Sequence, residues 1–150
     1  MIATQDLRPA RRARYMPKTP WREVSSRAAA QYNLPMTHYD WNTMPAEQLN
    51  PQVTRRAVHT ENMTIARLQI AKDAVVPEHA HVNEQVATVE RGALRFQIGG
   101  RELTLTAGQS VAIPSNVPHS VVALEDTTVV DIFTPRRDDW LRGDDSYLRK

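Results

Sequence analysis

The chain has 150 residues, with 19 Lys/Arg against 17 Asp/Glu and no cysteine, which is the size of one domain able to bury a core without disulfides. The missing thiols exclude a disulfide framework, a thiolate metal site and a thiol nucleophile, so any metal must be held by nitrogen and oxygen ligands. No apolar run approaches the roughly 20 residues needed to cross a bilayer, and the N-terminus lacks the apolar stretch of a secretory signal, so a cytoplasmic enzyme or binding protein is expected.

Residues 1–30 carry seven Lys/Arg against Asp6 and Glu23. A basic arm can touch nucleic acid, but this one has little aromatic interleaving and no recognisable binding module. A solvated or partner-docking arm is expected instead. Residues 1–18 offer few apolar anchors. Next, Thr19-Pro20 reads as an N-cap and first-turn proline, Trp21 to Tyr32 as a short helix, and Asn33 with Pro35 as its stop. Residues 1–50 are thus expected to be an extension, and residues 51–150 a β-barrel domain.

From Val53 the texture changes to short β-rich runs separated by turn residues, the spacing of a sandwich or barrel. Strands are predicted at Val53–His59, Met63–Ala71, Gln85–Arg91, Ala93–Ile98, Glu102–Thr106, Ser110–Ile113, Ser120–Leu124 and Thr127–Phe133. Arg91-Gly92 and Gly99-Gly100 supply hairpin turns. After Pro135, Asp138 or Asp139 is placed to cap a short C-terminal helix containing Trp140, Leu141, Tyr147 and Leu148.

The segment from Pro77 to Gln85 places His79 and His81 two apart, so that in an extended strand both rings share a face. Gln85 has the same parity and Glu84 the opposite one, although a bend after His81 would weaken the argument. A fourth ligand, His119, follows the proline-restricted turn that runs from Pro114 to Pro118. His38 and His59 match no pattern and read as surface or structural residues.

In these residues the chain resembles the cupin superfamily. His79, His81, Gln85 and Gly92 fit its first motif, and Gly108, Pro114 and His119 its second. The departures are Ala74 or a neighbour in place of the leading glycine, Gln85 in place of glutamate, and Asn116 in place of the glycine between two prolines. Asparagine tolerates the left-handed conformation, so the last change is mild. The resemblance implies an all-β cupin fold, a double-stranded β-helix or jelly-roll barrel, here with a short N-terminal helix and extension. It also implies one divalent metal ion. Three imidazoles and an amide leave the ion's charge uncompensated and raise its Lewis acidity. Such a ligand set leaves zinc, nickel, iron and manganese open.

The last predicted strand is apolar except for Asp131, which shares a face with Phe133. On a lumenal face this carboxylate could exchange a proton with bound substrate, and Arg137 could pair bidentately with an anion. The run Asp131, Phe133, Pro135, Arg137, followed by Asp139-Trp140-Leu141, is similar to the C-terminal part of the small uronate-ketonising cupins of the KdgF family. That resemblance implies a metal site of His79, His81, Gln85 and His119, pocket roles for Asp131, Phe133 and Arg137, and ketonisation of unsaturated uronates from pectin or alginate breakdown. Tyr32, Tyr39 and Trp41 are candidates to reshape the pocket, with packing the plainer role. Two other classes stay open: a metal-dependent dioxygenase of a small diketone or phenol, and a non-catalytic metabolite-binding cupin. The apolar pairs Val121-Val122 and Val129-Val130, together with the family's habit, lead to the expectation of a homodimer.

Overall fold

The computed structural model describes residues 37–149, so the helix expected at Trp21–Tyr32 and the basic arm lie outside the described residues. The described part forms two antiparallel sheets of ten strands. They are β1 (Glu47–Asn50), β2 (Val53–His59), β3 (Thr64–Ile70), β4 (Val75–His79), β5 (Glu84–Arg91), β6 (Ala93–Ile98), β7 (Arg101–Thr106), β8 (Ser110–Ile113), β9 (His119–Ala123) and β10 (Thr127–Thr134). One sheet has the order β1-β2-β3-β10-β5-β8 and the other β4-β9-β6-β7. Among the described residues no helix is long and apolar enough to cross a membrane.

Alternation decides which side chains meet between the sheets. Along β3, Ala66, Leu68 and Ile70 are buried. Along β5, Ala87 and Val89 are buried, and along β10, Val129, Asp131 and Phe133. These faces pack against Leu94 and Phe96 of β6 and Val121 of β9 in one apolar cluster. Burying a Leu, Val or Phe side chain contributes roughly 1.5–3 kcal/mol each. The lumen is therefore a packed core, with a polar centre only where the sequence supplies one.

All eight predicted strands form, with no end moved by more than one residue, and two more were missed. β1 is short and lies before position 51, so the six-stranded sheet starts earlier than the expected domain boundary. β4 contains Pro77, which argues against a central strand. It sits at the edge of its sheet, and its register with β9 shifts between Val76 and His79. Within the apolar pairs, Val121 and Val129 point into the core while Val122 and Val130 are half-buried on the outer faces. Gly92, at φ 84°, joins β5 to β6 where an added Cβ would stand 2.5 Å from Thr127 Oγ1, so only glycine fits. Asn116 takes φ 62° in place of the motif's glycine.

The C-terminal segment differs from expectation. Instead of one helix capped by an aspartate, it forms a short helix at Asp138–Arg142 that Gly143 ends in the left-handed region, then a 3-10 turn at Ser146–Leu148. Neither Asp138 nor Asp139 is the N-cap; both lie in the helix's first turn. Asp139 instead turns to Arg137.

Candidate metal centre and pocket

The chain bends where the parity argument was weakest. His79 ends β4, His81 lies in the following loop and Gln85 is on β5, so the three do not share one strand. They nevertheless converge, because β4 pairs His79 directly with His119 of β9. One ring nitrogen from each of His79, His81 and His119 lies within 4.8 Å of the others. Gln85 Oε1 stands 3.2 Å from His81 Nε2. Glu84 points outward, as its parity requires.

Each imidazole is fixed by a nearby backbone carbonyl. His79 Nδ1 meets Pro77 O at 2.8 Å, His81 Nδ1 meets Asn83 O at 3.0 Å and His119 Nδ1 meets Val117 O at 2.8 Å. A carbonyl only accepts, so each Nδ1 carries the proton and each Nε2 presents a lone pair, the arrangement that orients metal-ligating histidines. Among the described residues His119 Nε2 is buried with no hydrogen-bond partner. Two acceptors, His81 Nε2 and Gln85 Oε1, also face each other at short range, which favours a cation between them. Burial, then repulsion from the neighbouring imidazoles and Arg137, pushes the pKa of His79 down to about 4. Burial and Arg137 push His81 down to about 4 as well. His119 is lowered chiefly by burial. The rings are thus neutral near pH 7, as ligands must be, and the donor set fits a divalent ion.

Several side chains hold the loop that carries His81. Asn116 N donates to His81 O at 2.8 Å, and Ser115 Oγ to Val82 O at 2.6 Å. Buried Asn83 donates through Nδ2 to the carbonyls of Pro135 and Arg136, tying this loop to the chain that enters Arg137. Asn83 was not singled out from the sequence, although its position between the candidate ligands was a hint.

The other wall comes from β10 and the C-terminal segment. Asp131 and Phe133 share the inward face, as expected, and Phe133 is paired in register with Gln85. Burial pushes the Asp131 carboxyl up to about 7, against the opposing pull of the Gln85 amide and Arg137. Its Oδ1 is buried without a partner. Phe133 lies edge-on to His81 and Trp140, with the Arg137 guanidinium 4.8 Å from its ring centre.

Arg137 departs from the simple expectation of a free clamp. It is 1% exposed, and its bidentate partner is Asp139: Nε donates to Oδ1 at 2.9 Å and Nη2 to Oδ2 at 2.6 Å. Nη2 also donates to Tyr147 Oη at 2.8 Å. Nη1 is buried and unpartnered. The Arg137 backbone N–H donates to Thr64 Oγ1, which His59 Nδ1 also meets, so His59 is structural as expected.

Asp131, Arg137, Phe133, Gln85, His79 and His119 line one cavity, whose free space of about 50 Å³ holds an ion and a few waters. Tyr147, which the sequence offered only as a helix residue, lines it too. Tyr39 and His38 are exposed and Trp41 lies in a surface depression with Ile65 and Val130, so these residues do not shape the pocket; Tyr32 is outside the described residues.

Residues 66–133 match the cupin domain family. The pectin degradation protein KdgF of Dickeya dadantii (strain 3937) is 30% identical over 100 residues, covering 65% of this chain and 91% of that protein. Among solved structures, KdgF from Halomonas sp. superposes with a TM-score of 0.67 at 28% identity, over 71% of this chain and 99% of that one. An RmlC-like cupin from Shewanella frigidimarina shares the fold, with a TM-score of 0.67 at 24% identity over 71% of this chain and 96% of that one. With most of the KdgF length covered at this identity, the chain belongs to the KdgF family of cupins.

Proposed function

We propose that the protein is a metal-dependent isomerase or lyase that ketonises a small unsaturated uronate, opening its ring form to the linear keto acid. The observation that carries this reading is the convergence of three buried, unpartnered polar atoms on one cavity: His119 Nε2, Asp131 Oδ1 and Arg137 Nη1. They are, in turn, a lone pair for a metal, a proton carrier and a cationic donor for an anion. Leaving all three unpaired is costly in an empty core, at about 1–3 kcal/mol for each neutral group and more for a charged one, so the cavity is matched to a charged, oxygen-rich guest.

His79, His81, His119 and Gln85 would hold the ion, which, when bound, supplies Lewis acidity that no carboxylate ligand offsets. Arg137 binds the substrate carboxylate through its end-on edge. Asp131, buried among Phe133, Gln85 and Arg137, moves the proton. As the hemiacetal carbon–oxygen bond of the ring breaks, it takes the proton of the anomeric hydroxyl, the anomeric carbon becomes an aldehyde, and the electron pair of the broken bond stays on the former ring oxygen as an enolate. Returning that same proton to the double-bond carbon that does not bear this oxygen leaves a ketone. No oxidant or co-reactant is consumed. Burial raises the Asp131 pKa above the ordinary carboxylate range and a bound divalent ion would oppose that rise, so the carboxylate form that starts the shuttle is available at neutral pH. Phe133 and Trp140 form an apolar wall that keeps bulk water from the enolate.

The direct test is loss of the absorbance of an unsaturated monouronate on adding metal-loaded protein, with elemental analysis identifying the ion. Oxygen uptake with a diketone or phenol would replace this reading by the dioxygenase, and saturable binding without turnover over hours by a binding protein. A homodimer is also expected, since Met63 and Ile132 are large apolar side chains 39% and 41% exposed. Light scattering near the 17.0 kDa of one chain would refute it.

A further inference from the structure

The pocket is smaller than its chemistry requires. Free space for an ion and a few waters cannot also admit a sugar acid, and one lining side chain touches both the metal ligands and the arginine. Tyr147, in the 3-10 turn Ser146–Leu148, lays its ring on the His79 imidazole, with centroids 4.1 Å apart and planes tilted by 23°. Its hydroxyl accepts from Arg137 Nη2 at 2.8 Å and from Trp140 Nε1 at 3.4 Å.

A guanidinium has two forks that match a carboxylate. The side-on fork of Arg137, Nε with Nη2, is filled by Asp139. The end-on fork, Nη1 with the second hydrogen of Nη2, faces the cavity: Nη1 is free, and the other tooth is held by the tyrosine hydroxyl. Tyr147 therefore occupies half of the position a substrate carboxylate would take.

The segment carrying Tyr147 is latched from outside the pocket. Fully buried Asp145 bonds Arg55 at 2.8 Å and Arg149 at 2.7 and 3.0 Å. Glu47 joins both arginines, and Asn50 Nδ2 donates to Leu148 O at 2.8 Å. The latch sits on β1 and β2, so the turn is anchored outside the pocket while the ring it carries lies on His79 inside it.

We propose that Tyr147 is a specificity-determining gate, whose hydroxyl is displaced from the Arg137 end-on fork by the substrate carboxylate and whose ring limits the size of acid admitted. This deepens the uronate reading and rests on it for the identity of the acid. The full chain, loaded with one equivalent of zinc, is titrated calorimetrically with galacturonate, an unreactive saturated uronate, and with the smaller malonate. Tyr147→Phe should bind galacturonate about tenfold more tightly than wild type, the scale of a hydrogen bond to a charged group released for the ligand. A purely structural role would weaken binding instead. Tyr147→Ala should in addition bind digalacturonate, and galacturonate should speed amide hydrogen exchange over residues 144–149 of the wild type. Equal or weaker binding of both acids by Tyr147→Phe overturns the gate. Malonate binding that tightens in Tyr147→Phe while galacturonate binds no variant upholds the gate and overturns the uronate.

Discussion

The two walls of the cavity are built by different means. On the histidine wall, each imidazole is oriented by a carbonyl two residues away in the chain, Pro77 for His79, Asn83 for His81 and Val117 for His119. Orientation is thus written into the local backbone. On the opposite wall, Arg137 is set by Asp139 beside it and by Tyr147 ten residues on, while Asp131 keeps one oxygen unpartnered. The first wall is finished before any guest arrives. The second has donors and acceptors in reserve, as expected of groups whose partners change during a reaction.

The sharpest way to break this contrast is to empty the first wall. His79→Ala with His81→Ala removes two of the neutral nitrogen donors, and elemental analysis should show near-complete loss of stoichiometric metal. A full equivalent retained would move the ion elsewhere. Acid should do the same reversibly. Because the folded pKa of both rings lies well below the ordinary 6.5, the metal-free fold is favoured above that value and loses the contribution as pH falls toward about 4. A bound metal keeps these rings deprotonated, and its release should follow the same fall.

On the second wall, Asp131→Asn keeps shape and metal but removes the exchangeable proton. Turnover on an unsaturated uronate should drop by roughly 10²–10⁴-fold, the usual contribution of an acid–base group. Unchanged turnover with metal retained would shift the proton transfer to another group. A smaller effect, mainly on binding, is expected at Arg137→Ala: the Michaelis constant should rise by about tenfold or more with less loss of turnover, provided the contact is uniform between ground and transition states. Since Arg137 also caps Phe133 and Trp140, Arg137→Lys serves as the control, because it retains the charge while losing the fork.

The same contrast explains what could be read from the sequence. Gln85 meets His81 across a bend and not on the shared strand that its parity assumed, but histidine spacing, the Asn116 turn and strand alternation act over a few residues, so the gathering of the three histidines and the inward face of Asp131 and Phe133 were legible. So were eight of the ten strands. β4 was not, because Pro77 and a register shift disguise an edge strand, and β1 was not, because its four residues carry little pattern. The contacts that complete the second wall join distant positions: Asn83 to Pro135, Thr64 to Arg137, Asp145 to Arg55. Nothing in local spacing announces them. Tyr147 looked like one position of a single C-terminal helix because the local stop at Gly143, a left-handed C-cap, was passed over; the stacking of its ring on His79, sixty-eight positions away in the chain, has no local signal.

The smallest expected effect tests the reserve held on the second wall without any substrate. In metal-free protein Asp131 is a buried acid whose folded pKa stands near 7, above its ordinary 3.8, chiefly through burial. The folded state therefore binds the proton more tightly than the unfolded chain does. The resulting stability is complete below about 3.8 and is lost as pH rises through about 7. Asp131→Asn cannot ionise, so its melting temperature relative to wild type should climb between those two limits and level off at higher pH, by a few degrees for a domain of this size. Saturating zinc should shrink the difference, because a nearby divalent charge favours the carboxylate and offsets its burial. Differential scanning fluorimetry at pH 4.5 and pH 8, with and without zinc, reads both effects. A difference independent of pH would mean that the carboxylate is solvated and that the second wall holds no buried acid in reserve.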